Sequence, residues 1–235
     1  MQINGAHVLV TGANRGLGRQ FVLSLLERGA GKVYATARRP ELVDVPGAVP
    51  LRLDITDPAS VAAAAAAAPD VKIVINNAGI STGANLVTGD LDVIRREMDT
   101  HFYGTLNVIR AFAPQLADGA ILNVLSAVSW LGVDGAGAYH AAKAAEWALT
   151  SNARLELAGQ RTLVTGLHLG AADTDMMAWY DGDKSAPEAV VAAALDGLEA
   201  HRLEVLADTW SRQVKSWLSE DPEIMYRNAA AVLTP

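Results

Sequence analysis

The sequence predicts an α/β protein: a doubly wound parallel sheet of about seven strands with helices on both faces. Three observations predict it. Short apolar runs bounded by turn residues recur along the 235 residues, longer stretches of helical composition lie between them, and three glycines near the start join the first run to the first of those stretches. A single domain over 1–235 accommodates the pattern, since α/β folds of this length commonly remain undivided and no repeat or Ser-rich linker interrupts the chain.

In order, the apolar runs are HVLVTG, KVYATA, VPLRLD, VKIVINN, AILNVLS, LVTGLHL and LEVLAD. Each reads as a buried strand, because a parallel strand covered on both faces needs no polar alternation. RGLGRQFVLSLLERG follows the first run as an amphipathic helix. VAAAAAAA, Val61 to Ala68, is simple in composition, but Asp57 as N-cap and Pro58 as first helical residue make it a small helix. LDVIRREMDTHFYGTLNVIRAFAPQL and AYHAAKAAEWALTSNARLELAG supply two long helical segments on either side of the fifth strand. The least regular stretch is Gly170 to Pro187, where a substrate loop is expected around 171–187.

Composition narrows the function classes. Hydrophobic residues at 51% and charged residues at 19% leave no room for extended disorder. A net charge of -7 argues against a nucleic-acid partner, which needs a basic surface. The absence of cysteine excludes disulfide and thiolate chemistry and suits a cytoplasmic protein. MQINGAHVLV carries no cationic segment leading into a long apolar run, and no stretch approaches the roughly 18 apolar residues of a membrane span. Secretion and membrane insertion are not expected, nor is a metal site.

The glycines give the first functional signal. HVLVTGANRGLGRQFVLSLLERG is strand, glycine turn and helix, and Thr11, Gly12, Asn14, Arg15, Gly16, Leu17 and Gly18 form the turn and the helix start. Backbone amides there can face a pyrophosphate with no side chain between, as in Rossmann-like dinucleotide folds, although G-x-x-x-G-x-G alone would also serve a tight structural turn. At the end of the second strand, where such a fold usually sets an acidic residue on the ribose of NAD, this chain reads TARR, Thr36 to Arg39. The guanidinium of Arg38, with Arg15 reaching over from the glycine turn, would suit a ribose 2′-phosphate, which favours NADPH over NADH. A merely solvated arginine pair would leave the missing acid unexplained.

Tyr139 and Lys143 in YHAAK are four apart and share one helix face. Ser126 closes the fifth strand run, at the carboxyl edge where open parallel sheets bind ligands. Taken singly, each has a plainer reading: a packed tyrosine beside a solvated lysine, and a hydroxyl satisfying loop backbone.

Four co-linear motifs remove that ambiguity. T-G-x-x-x-G-x-G at Thr11 to Gly18, N-N-A-G at Asn76 to Gly79, N-V-x-S ending at Ser126 and Y-x-x-x-K at Tyr139 to Lys143 together resemble the short-chain dehydrogenase/reductases, specifically the NADP-preferring carbonyl reductase type. The resemblance covers nearly the whole chain. It implies an oxidoreductase acting on a CH–OH group, with Tyr139 as proton donor to the carbonyl oxygen, Ser126 as a second hydrogen bond, and Lys143 stabilising tyrosinate and holding the nicotinamide ribose. It implies that Asp54 and Ile55 meet the adenine, although Asp54 also reads as a loop cap. Asn77, Ala78 and Gly79 would line the floor beneath the adenosine ribose, and Gly170, Ala172 and Thr174 would hold the carboxamide and diphosphate end.

Two departures accompany the resemblance. The family's fourth catalytic residue, an Asn that bends the helix and holds a water linking the lysine to solvent, is replaced in THFYG by His101. Imidazole donates and accepts hydrogen bonds and is the side chain whose charge changes near neutral pH, so His101 can stand in for the relay or simply pack. The family's P-G after the sixth strand is Leu169-Gly170, which should loosen that turn.

Met176, Met177, Trp179 and Tyr180, with Trp130, Leu131 and Val133, suggest an apolar or aromatic ketone or aldehyde as substrate, or else the packing of a lid or subunit contact. The resemblance implies a homotetramer or homodimer built on the helices containing His101 and Tyr139. The segment Trp210 to Pro235 covers the cleft or an interface. The rival reading is an NADPH-binding sensor or scaffold without turnover, with His101 and Leu169 as signs of decay; intact Ser126, Tyr139 and Lys143 oppose it.

Overall fold

The computed structural model describes residues 1–233. Seven strands, β1 (His7–Val10), β2 (Lys32–Ala37), β3 (Val49–Arg52), β4 (Ile73–Asn76), β5 (Ala120–Val124), β6 (Leu163–His168) and β7 (Glu204–Leu206), form one sheet in the order β3-β2-β1-β4-β5-β6-β7. Every pairing is parallel. The strand order reverses between β1 and β4, so a crevice opens at their carboxyl ends, and the chain segments after both strands meet there.

Helices α1 (Gly16–Glu27) and α6 (Pro187–Glu199) cover one face of the sheet; α2 (Pro58–Ala67), α4 (Thr105–Phe112) and α5 (Gly137–Glu156) cover the other. The cores show why the strands read as continuous apolar runs. Val8, Val10, Ile73, Ile75 and Leu122 pack with Phe21, Leu25 and Leu195 on the first face, while Leu9, Val74 and Ile121 pack with Val61, Val108 and Phe112 on the second. Alternate residues thus point to opposite faces, and both faces are covered.

β3 is the exception to the buried-strand expectation. Among the described residues it pairs only with β2, and Val49, Pro50 and Arg52 are exposed while half-buried Leu51 packs on the second core, so this edge strand is covered on one face alone. Proline at an edge removes a donor that had no partner strand. The alanine tract is helical as expected, with Asp57 accepting from the Ala59 amide and Pro58 at its first turn.

The segment between β4 and β5 is interrupted. α3 (Leu91–Met98) runs into a wide π turn, Asp99–Gly104, before α4 begins. Such a turn carries an extra residue and rotates the side chains that follow it, and here it turns His101 inward to a site where the ring is 1% exposed. Beyond the sheet, α7 (Thr209–Ser216) and α8 (Pro222–Leu233) dock through Val214, Met225 and Ala229 onto Ala127 and Leu131 in the segment after β5. The end of the C-terminal segment, Thr234 and Pro235, lies outside the described residues. Among the described residues, no helix is long and apolar enough to cross a membrane.

Candidate active site

The glycine turn is built for close approach. Gly12 has φ +66°, and a side chain there would come within 2.9 Å of the Ala78 backbone; a Cβ at Gly18 would collide with the Gly12 carbonyl. The Thr11 hydroxyl accepts from the amides of Asn77 and Ala78, both at 2.9 Å, and the Asn77 side chain returns a hydrogen bond to the Thr11 carbonyl at 2.9 Å. These bonds join the segments after β1 and β4 at the strand-order reversal. Residue Arg15 caps α1 without a side-chain hydrogen bond, and no acidic residue occupies the first turn, so the leading amides of a twelve-residue helix are unclaimed by side chains. The donor set fits an anionic diphosphate.

Arg38 stands exposed at the end of β2 with no ion pair or hydrogen-bond partner among the described residues. Arg15 faces instead toward Asp175 in the segment after β6, 3.4 Å away, so joining Arg38 on a phosphate requires it to leave that partner. Asp54 acts as the loop cap that one reading foresaw: its Oδ1 accepts from the Thr56 amide at 3.0 Å and the Thr56 hydroxyl at 2.8 Å. The neighbouring Ile55 is buried, and its carbonyl accepts from Asn107.

Ser126, Tyr139 and Lys143 converge at the carboxyl edge of β5. Ser126 caps the short turn Ala127–Ser129, and its hydroxyl accepts from the Val128 amide and donates to the Leu169 carbonyl, both at 3.3 Å. The Lys143 ammonium donates to the Val124 carbonyl and to Glu146 Oε2, each at 2.7 Å, and lies 5.8 Å from the centre of the Tyr139 ring. Tyr139 is half-buried, and desolvation of its phenol pushes it above its ordinary range, with Lys143 opposing the rise and Glu146 and Glu97 adding to it. Burial alone would push the Lys143 ammonium down; the Glu146 carboxylate outweighs it and holds the lysine above its usual value.

The Leu169-Gly170 turn is firmer than the missing proline led us to expect. The Gly170 amide donates to Asp208 Oδ2 at 2.6 Å, and Gly170 is seated so closely on Trp210 that a Cβ would lie 2.8 Å from the indole. Thr174 reaches back toward the glycine turn, its methyl 3.5 Å from where a Gly16 side chain would begin. Buried Ala172 forms an isolated bridge with Ser185.

The aromatic residues divide. Met176 and Trp179 are 40% and 71% exposed beside the loop's half-buried Met177 and Tyr180, whereas Leu131 is buried against α7 and α8 and Trp130 stacks on His168 at 3.7 Å between ring centres. The remaining surface of Trp130 and Val133 lines an open cleft of about 420 Å³ with Leu86, His140 and Tyr226.

His168 is a participant that the sequence reading passed over, although a lone histidine inside LVTGLHL marked it. Its Nδ1 lies 3.0 Å from the Ser126 carbonyl, to which it donates, so it braces the backbone of the serine from behind. Burial pushes His168 down to about 4. Between its unfolded value near 6.5 and 4, the unfolded chain takes up a proton that the folded chain refuses, so stability falls as pH drops through that window and the effect is complete below it. We expect the unfolding free energy to fall by about 3 kcal/mol more over pH 6.5 to 4 in the wild type than in His168→Gln, measured by urea titration. Parallel curves would contradict the assignment.

Glu97 and Glu146 were also missed. Glu97 lies four residues before His101 and Glu146 three after Lys143, spacings that place each pair on one helical face. Both carboxylates are held below their usual range although burial pushes them up: the Lys143 ammonium, then His101, outweighs burial at Glu146, and His101 with the Thr82 amide does so at Glu97.

A parallel sheet reversing at a glycine cradle, with a Ser-Tyr-Lys cluster one strand away, defines a dinucleotide-dependent oxidoreductase class. The chain belongs to the short chain dehydrogenase family, whose sequence profile matches residues 6–184. It is 35% identical over 178 residues to the NADPH-dependent 1-acyldihydroxyacetone phosphate reductase of Schizosaccharomyces pombe, covering 71% of this chain and 60% of that one. It is 30% identical to the D-erythrulose reductase of Gallus gallus over 197 residues, covering 79% and 80%. A short chain dehydrogenase from Burkholderia cenocepacia, solved in complex with NADP, superposes with a TM-score of 0.93 at 38% identity over 100% of both chains.

Proposed function

We propose that the protein is an NADPH-dependent oxidoreductase that reversibly reduces a small apolar or aromatic ketone or aldehyde to an alcohol, with Tyr139 as proton donor. The observation that carries the reading is the convergence of Ser126, Tyr139 and Lys143 at the sheet edge beside the glycine cradle. A bound reduced nicotinamide supplies hydride to the carbonyl carbon. Tyr139 hands its phenolic proton to the carbonyl oxygen, Ser126 gives that oxygen a second hydrogen bond, and the Lys143 ammonium stabilises the tyrosinate left behind.

NADPH is favoured over NADH by the unpartnered Arg38, and by the kinship with an NADPH-dependent reductase and an NADP-bound structure. Gly12, Gly16 and Gly18 with the leading amides of α1 would take the diphosphate, and Thr174, Ala172 and Gly170 the carboxamide end. The exposed Met176 and Trp179 support an apolar substrate, and Lys184, the cation of that loop, is engaged by Asp173 at 3.5 Å and is poorly placed to recruit a carboxylate. We place the enzyme in the cytoplasm as a homodimer or homotetramer, whose interface would use Trp147 and Leu155 of α5 and Tyr103, which are exposed.

The test is reduced-nicotinamide absorbance with NADPH and with NADH against aliphatic, aryl and cyclic ketones and aldehydes. Consumption with NADPH preferred supports the reading. Tight NADPH binding without consumption across the panel overturns it.

A further inference from the structure

Three non-glycine residues among those described have left-handed backbone, Asp118, Arg161 and His201, each with φ +57°. All three line one open cleft of about 600 Å³ at the amino ends of β5, β6 and β7, on the opposite edge of the sheet from Ser126 and Tyr139. Left-handed turns are common where helices end, but glycine is the residue that favours them. The chain uses glycine at the turn before β2: the Gly29 amide donates to the Leu26 carbonyl and the Ala30 amide to the Leu25 carbonyl, with Gly29 at φ +77°. The turn before β7 repeats those bonds, His201 to Leu198 and Arg202 to Gly197, and the turn before β6 repeats them again, Arg161 to Ala158 and Thr162 to Leu157. One backbone motif thus carries glycine before β2 and a basic side chain at both turns that border the cleft. A side chain that its own turn disfavours points to a use outside the turn.

The same cleft holds a half-buried guanidinium that lacks a carboxylate. Arg154, in the last turn of α5, donates from Nε to the Val164 carbonyl at 3.1 Å and from Nη2 to the Leu203 carbonyl at 3.0 Å. These bonds fix its plane and leave Nη1 without a partner among the described residues. Burial pushes the guanidinium down, and Glu204, the carboxylate that acts against this, is bonded to Lys215 at 2.8 Å. Arg161 is held in a similar way: its Nε and Nη2 engage the two oxygens of Asp118 at 2.6 and 2.7 Å, so Nη1 is the free end. His201 is exposed, and its ring has no hydrogen-bond or ion-pair partner among the described residues. Asp118, the one acidic side chain among the described residues of the cleft, is therefore already taken by Arg161. Leu163 and Leu203 add an apolar wall, with Leu203 half exposed.

We propose that this cleft binds an organic oxyanion, its phosphate or carboxylate head taken by Arg154, Arg161 and His201 and its apolar body laid on Leu163 and Leu203. Guanidinium planes already fixed by backbone carbonyls and by Asp118 meet the head with little side-chain freedom left to lose. Donors arriving from α5 and from two separate turns require a head that accepts from several directions. Phosphate and carboxylate oxygens do so with full charge, whereas an ether or a single amide carbonyl does not. In a chain of net charge -7 such a cleft is a local reversal of sign, which draws anions to this edge of the sheet. The site is separate from the glycine turn and stands independently of the reductase reading.

The test is an NMR titration of the ¹⁵N-labelled protein, with NADP+ in excess so that the glycine turn is not free to take the probe. It follows the backbone amides of Asp118, Arg161, His201 and Leu203 as phenyl phosphate, benzoate or the uncharged benzyl alcohol is added. Both anions should move these amides and saturate in the millimolar range, and benzyl alcohol should not. The tighter anion identifies the head as phosphate or carboxylate. His201→Gly and Arg161→Gly install the residue that the turn before β2 uses. Each should weaken phenyl phosphate about five- to tenfold and leave the urea midpoint of unfolding unchanged or higher. No movement of these amides in the wild type up to the solubility limit, or benzyl alcohol binding as tightly as the anions, overturns the proposal whether or not a variant folds. Wild-type affinity for phenyl phosphate in both folded variants overturns it as well. So does a midpoint lowered in both, because the two side chains would then serve the fold.

Discussion

Tyr139→Phe is expected to lower kcat for carbonyl reduction on the order of a thousandfold while leaving the NADPH dissociation constant within twofold. The substitution removes the proton donor and little else. The ring keeps its edge-to-face contact with His101 at 5.3 Å between centres, and Lys143 keeps its bonds to the Val124 carbonyl and Glu146, so neither the glycine turn nor the lysine has cause to move. The phenol's environment also sets the direction of the pH dependence. With Tyr139 pushed upward by burial, the donor form prevails through the neutral range and reduction should be insensitive to its ionisation there. Alcohol oxidation needs the tyrosinate, so its rate should climb as pH rises into the alkaline range. NADPH fluorescence titration and steady-state turnover in both directions read these effects, and residual reduction above about a tenth of wild type would remove Tyr139 from the chemistry.

What the sequence disclosed follows from how local the cause is. Strands buried on both faces write themselves as apolar runs, and the glycine turn is marked because the backbone at Gly12 and the packing of Gly18 tolerate no side chain. Ser126, Tyr139 and Lys143 were legible through their place among four co-linear motifs, since their spacing alone left plainer readings open. β3 was misjudged as buried because its composition resembles that of its neighbours, while its exposure depends on being last in the sheet. The Leu169 turn was expected to be loose because its anchor, Asp208, lies 38 residues away in sequence from Gly170. Leu131 meets both readings offered for it, since it packs under α7 and α8 and still borders the cleft beside Trp130 and Val133, a double role that nothing local in the sequence reveals. The Glu97–His101–Glu146 cluster depends on a π turn that apolar periodicity does not reveal, so each residue could be seen but their meeting could not.

Cofactor choice is the second large effect. Arg38→Ala should raise KM for NADPH about 10- to 100-fold and change KM for NADH less than twofold, since a charged hydrogen bond is worth roughly 1.5–3 kcal/mol and NADH lacks the phosphate that receives it. Exposure argues for the lower part of that range, because ion pairs at the surface are screened and often contribute little. Two features argue for the upper part. Arg38 has no competing carboxylate among the described residues, so binding breaks no existing pair, and a planar guanidinium engages a phosphate through two parallel bonds. Arg15 works under a different constraint, since its pairing with Asp175 must be given up before it can reach a phosphate. Asp175→Asn should therefore lower KM for NADPH modestly in the wild type, and salt should weaken NADPH binding more in the wild type than in Arg38→Ala. Equal losses for NADPH and NADH in Arg38→Ala would show that the residue shapes the end of β2 without reading the phosphate.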